Sequence, residues 1–90
     1  MDFEWDTKKA DINAKKHGVS FQEAATVFGD PLALTFSDPD HSENEYRFLT
    51  FGMSENHRLL VVAHAIRGAE IRIITARSIT KRERKIYEEG

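Results

Sequence analysis

The sequence predicts an α+β domain of order ααββββα: two N-terminal helices, a four-stranded, mostly antiparallel sheet and a C-terminal helix. Three observations lead there. The apolar period is near 3.6 as far as Phe28 and near 2 from Leu32 onward. The connections after Leu32 are short and polar, which suits hairpins better than crossover helices. Capping signatures mark the helix starts.

Asp6 is an N-cap for a helix over 7–17, and Gly18 suits the left-handed position that ends it. Ser20-Phe21-Gln22-Glu23 reads as a capping box, and Phe21, Ala24, Ala25 and Phe28 fall at i, i+3, i+4, i+7 of a second helix stopped by Gly29-Asp30-Pro31. Strands are expected over Leu32–Phe36, Glu45–Met53, Arg58–Ile66 and Glu70–Arg77, all rich in β-branched and aromatic residues. Thr80-Lys81-Arg82-Glu83 is a second capping box that opens the last helix. No repeat or linker interrupts the chain, so residues 1–90 are expected to form one domain around one core.

A 90-residue chain buries roughly 60–65% of its unfolded surface, enough for one modest core. The absence of cysteine excludes disulfides, thiolate metal sites and thiol nucleophiles. The acidic start and the lack of an apolar run near 18 residues lead us to expect an unexported protein of the cytoplasm, with no membrane partner. Net charge is −2, but it is unevenly spread: residues 1–57 carry five Lys/Arg against eleven Asp/Glu, and residues 58–90 eight against four. A cationic C-terminal third can hold a local positive field that attracts a polyanion; ordinary solvated charge is the plainer alternative.

Arg47 lies in an otherwise apolar strand, where a charge must reach solvent, a carboxylate or a bound anion. His64 interrupts the apolar strand 58–66; such a residue is more often a satisfied core histidine than a catalyst. Strict alternation groups Arg77 with Ile71, Ile73 and Thr75, and Arg72 with Ile74 and Ala76, so these two arginines are expected on opposite faces. His17, His41, His57 and His64 show no metal-ligand spacing, and no Gly-rich phosphate loop precedes a helix; neither metal nor cofactor is expected.

Phe3-Glu4-Trp5-Asp6, Lys16-His17-Gly18-Val19-Ser20-Phe21, Val27-Phe28-Gly29-Asp30-Pro31, Glu45-Tyr46-Arg47, Ile71-Arg72-Ile73-Ile74-Thr75-Ala76-Arg77 and the tail from Glu83-Arg84 to Tyr87-Glu88 follow one another in an order that resembles the BrnT family of toxins. The resemblance implies a RelE-like fold, RNA cleavage that inhibits translation, and a BrnA-type antitoxin that covers the toxin and supplies DNA binding, so that operator DNA is met only through the antitoxin. It carries over to Lys16, His17, Arg47, Arg72, Arg77, Glu83, Arg84 and Tyr87.

Metal-free RNA cleavage requires deprotonation of the 2′-OH, stabilisation of the phosphorane and protonation of the 5′-oxygen. Arginine suits the second task and, with its very high pKa, not the others. Arg47 and Arg77 are therefore expected to clamp the scissile phosphate. Arg67, Arg72, Arg84, Lys16 and His17 are expected as further phosphate contacts, and His64 or Tyr87 to move protons, on the premise that a phenol near arginines acquires a useful pKa. Lys16 and His17 have a competing explanation, since cations in a helix's last turn offset its dipole by about 0.3–1 kcal/mol. Trp5 and Phe3 read as core anchors or antitoxin contacts. A non-catalytic RNA- or ribosome-binding module, or a protein that only binds its antitoxin, would use the same basic surface.

Overall fold

The structure, a computed structural model, describes residues 2–38 and 46–90. The elements are β1 (Asp2–Glu4), α1 (Thr7–His17), α2 (Phe21–Thr26) with a 3-10 turn (Val27–Gly29), β2 (Leu34–Ser37), β3 (Arg47–Met53), β4 (Leu59–Arg67), β5 (Glu70–Ser78) and α3 (Lys81–Glu89). Both expected ends of α1 hold: Asp6 accepts from the Lys8 and Lys9 N–H groups, and Gly18 closes the helix at φ 69°. Thr80 and Glu83 complete a reciprocal capping box.

The strand expectations hold within about two residues for β2–β5, and Glu45 lies outside the described residues. The strand number does not hold. The described residues form a five-stranded sheet of order β1-β5-β4-β3-β2, because Asp2–Glu4 pairs in parallel with Glu70–Arg72. A three-residue strand is too short to leave a legible period of two, so the order βααββββα and the mixed sheet were hidden.

The apolar core lies between one sheet face and α2. Val19, Phe21, Ala24 and Val27 pack on Leu60, Val62, Ile73 and Ala76. Phe3 and Trp5 flank this core, Phe3 against Phe28 at 5.4 Å and Trp5 edge-on to Phe21 at 6.0 Å. Each large side chain buried there contributes roughly 1.5–3 kcal/mol.

Glu23 corrects the expected capping box at α2. Ser20 Oγ accepts from the Glu23 N–H at 3.0 Å, but the Glu23 carboxylate turns away to Arg58 and Ser54. Arg58 also donates to the Gly18 carbonyl at 3.0 Å, so this arginine ties the start of α2 to the β3–β4 hairpin. The Arg58 guanidinium holds the Glu23 carboxyl down at about 2.

Asn13 closes an edge. Beyond Arg72 no described strand pairs with the outer side of β5. There the buried Asn13 side chain accepts from the Ala76 N–H at 3.1 Å and donates to the Ala76 carbonyl at 2.9 Å and the Val19 carbonyl at 3.0 Å. An amide side chain thus stands in for a neighbouring strand and fixes α1 along the β5 edge.

Candidate active site

A β-bulge reorders the arginines. The β4–β5 register runs Leu60↔Ser78, Val61↔Arg77, Val62↔Ala76 and Ala63↔Thr75, then shifts so that His64 faces Ile73 and Ala65 faces Arg72. Ile74 is the extra residue. Alternation therefore restarts within β5: Ile71, Ile73 and Ala76 share the core face, while Arg72, Thr75 and Arg77 share the other. The expectation that Arg72 and Arg77 point opposite ways fails because one inserted residue inverts the parity between them.

The same outer face receives Arg47, paired with Ala65, and Arg67, paired with Glu70. Arg47, Ala65 and Arg72 make one row across β3, β4 and β5, with Glu4 of β1 next in line. At about 4.8 Å per strand the two arginine backbones stand roughly 10 Å apart across a single alanine. The next row supplies Leu49, Ala63 and Thr75, and the row beyond it Phe51, Val61 and Arg77. On β4 the small Val61, Ala63 and Ala65 thus floor a trough that has Arg47, Arg72 and Arg77 around it and the apolar Leu49 and Phe51 along its β3 side.

Two carboxylates order these cations. Glu83 takes the end-on fork of Arg77, with Nη1 donating to Oε1 at 2.7 Å and Nη2 to Oε2 at 2.8 Å. Arg77 Nη1 also points at the Ser78 carbonyl, at 3.4 Å. The Nε–H and the second Nη2–H lie on the guanidinium's other edge, a bidentate pair suited to a phosphate. Arg77 holds the Glu83 carboxyl down at about 2, so Glu83 is ionised throughout the physiological range. Glu4 stands 3.9 Å from Arg72 and 4.0 Å from Arg67. The sequence marked Glu83 as a cap and as a position shared with the family pattern, not as the partner of Arg77; a carboxylate three places into a helix signals capping whether or not it also holds an arginine.

His64 faces away from this trough. It is 3% exposed on the core face, edge-on to Phe28 at 4.8 Å and stacked on Phe48 at 5.8 Å. Its Nε2 meets Thr50 Oγ1 at 2.7 Å, which in turn meets Thr35 Oγ1 at 2.7 Å. Burial pushes the imidazole down to about 4, so it is neutral at pH 7. In the unfolded chain it titrates near 6.5, so this stabilisation is complete above that pH and is lost as pH falls through 4. Stability should therefore drop by about 2 kcal/mol between pH 7 and pH 5, and by distinctly less in His64→Gln. Denaturant titrations at the two pH values check this; an equal drop in both proteins would remove His64 as the cause.

Tyr87 also departs from expectation. Its hydroxyl donates to Asp30 Oδ2 at 2.7 Å, and this carboxylate, not an arginine, sets its chemistry by raising the phenol's pKa. Burial lifts the Asp30 carboxyl, but hydrogen bonds from the Met53 and Leu32 N–H groups and from Tyr87 outweigh it and leave the group low. Arg84 is exposed on α3, one place round the helix from the half-buried Glu83. Lys16 and His17 lie at the end of α1, beside the β5 edge and outside the trough.

The sequence model of the family described as "Ribonuclease toxin, BrnT, of type II toxin-antitoxin system" matches residues 5–83. No curated protein sequence matches. Among solved structures the fold is similar to that of the Brucella abortus ribonuclease toxin BrnT, with a TM-score of 0.69 and 21% identity over 90% of this chain and 99% of that one. With most of its length matched in sequence and its fold shared with a solved member, the chain belongs to the BrnT family of ribonuclease toxins of type II toxin-antitoxin systems.

Proposed function

We propose that this chain is a metal-independent endoribonuclease of RelE-like type that cuts RNA in the trough, stops translation in the cytoplasm and is neutralised by a BrnA-type antitoxin, through which alone it meets operator DNA. The observation that carries the site assignment is the bulge at Ile74, which brings Arg72 and Arg77 to the face of Arg47 and Arg67.

In this reading Arg77 grips the scissile phosphate through its Nε edge while Glu83 fixes the plane of its guanidinium. Arg47 and Arg72, on either side of Ala65, receive the charge that develops on the phosphorane, and Arg67 holds an adjoining phosphate. The 2′-OH attacks and the 5′-oxygen leaves, giving a 2′,3′-cyclic phosphate and a 5′-hydroxyl end. His64 acts as a packing residue and Tyr87 anchors α3 to Asp30. With neither group titrating near neutrality, rate enhancement rests on positioning and charge stabilisation.

The test is incubation of antitoxin-free protein with end-labelled RNA in EDTA. Fragments with cyclic phosphate ends are expected; intact RNA bound to the protein would favour the non-catalytic binder, which draws support from the buried state of His64.

A further inference from the structure

Beside the trough, where α1 passes the bulged edge of β5, lies a cleft of about 220 Å³. Lys9, Ile12 and Lys16 recur at i, i+3 and i+7, one face of α1, and meet His17, Ile74 and Thr75 across it. Ile12 is 62% exposed and Ile74 half-buried, so the cleft presents two isoleucine side chains between two lysines. The lysines stand about 10 Å apart along the helix axis.

Three observations give this cleft a role. It adjoins the trough: Thr75 pairs with Ala63 on the trough face and also lines the cleft. Its lysines form no close ion pair: Arg72 and Arg77 are matched by Glu4 and Glu83, whereas Lys9 has only the longer-range attraction of the Asp6 cap, and Lys16 has no described carboxylate within ion-pair distance. Finally, dipole compensation does not explain Lys9, which sits in the first turn of α1, where the helix dipole opposes a cation.

We propose that this cleft is a second nucleotide subsite, which takes the base of a nucleotide flanking the scissile phosphate between Ile12 and Ile74, with Lys9 and Lys16 on adjoining phosphates. It rests on the ribonuclease reading of the trough. The substrate class is single-stranded RNA, because a base must leave its stack to enter the cleft. Asn13 spends its amide on Ala76 and Val19, so the uncharged polar side chains left to meet a base edge are His17 and Thr75.

The test compares wild type with the Lys9→Gln/Lys16→Gln variant on a single-stranded oligoribonucleotide long enough to cross both sites and on a dinucleotide that fills only the trough. The variant should raise KM for the long substrate about tenfold and lower the slope of log KM against log salt by about 1.4, from roughly 0.7 per lost single-strand phosphate contact. The loss should fall on KM, not kcat, and spare the dinucleotide. Wild-type KM and salt slope in the variant would overturn the subsite, as would an equal loss on the dinucleotide, which marks a structural effect. Unchanged RNA kinetics with weakened antitoxin binding would assign the cleft to the antitoxin instead. If wild type itself leaves both substrates intact, the ribonuclease reading fails, and the subsite with it.

Discussion

Arg77→Ala is expected to reduce RNA cleavage by a factor of about 10²–10³, the usual loss when one preorganised donor to a developing oxyanion is removed. The expectation follows from the division of labour within the guanidinium. Glu83 takes the end-on fork and leaves the Nε edge for phosphate, so alanine removes both the charge and its geometry. Arg77→Lys separates the two: it keeps the charge but loses the planar fork, and should recover little activity. The fold should survive, because the Arg77 side chain is 39% exposed and Glu83 retains its cap to the Thr80 N–H at 3.0 Å. Circular dichroism beside single-turnover cleavage checks both points; a folded Arg77→Ala protein that cuts at the wild-type rate would remove Arg77 from the site.

Asn13→Ala is expected to cost about 3 kcal/mol of stability, a large share of what a domain this size commands. The side chain is 5% exposed and satisfies the Ala76 N–H and the carbonyls of Ala76 and Val19. Alanine leaves buried peptide groups unpaired at about 1–3 kcal/mol each, partly recovered if water enters. A melting temperature lower by roughly 15 °C follows for a chain of this length. Asn13→Asp should be nearly as harmful, since a carboxylate cannot donate to the two carbonyls. A shift of only a few degrees would mean that α1 does not depend on this edge contact.

Helices were legible wherever capping chemistry is local. Asp6 and Thr80 fix their helix starts through groups two or three residues away, and Gly18 ends α1 through its own φ. The central strands were legible from their β-branched runs. What escaped depended on pairing. β1 is a strand only because Glu70–Arg72 lies beside it. Glu23 has the sequence of a capping-box residue, yet Arg58, 35 positions away, outcompetes the local partner. The bulge at Ile74 has no turn residue or glycine to announce it, and it decides which arginines share a face. The candidate site was thus readable as a set of cations, Arg47, Arg67, Arg72 and Arg77, but not as an arrangement. The surroundings of the two proton-transfer candidates were hidden for the same reason: neither the rings that enclose His64 nor the Asp30 carboxylate beside Tyr87 lies near it in sequence.

The arrangement is tested most directly by single-turnover RNA cleavage with Arg72→Ala, Arg77→Ala and the double variant. Two arginines that serve one phosphate path from one face predict that each single change slows cleavage and that the double loses less than the product of the two, since either loss already disables the shared clamp. Cleavage by Arg72→Ala at the wild-type rate would contradict the account.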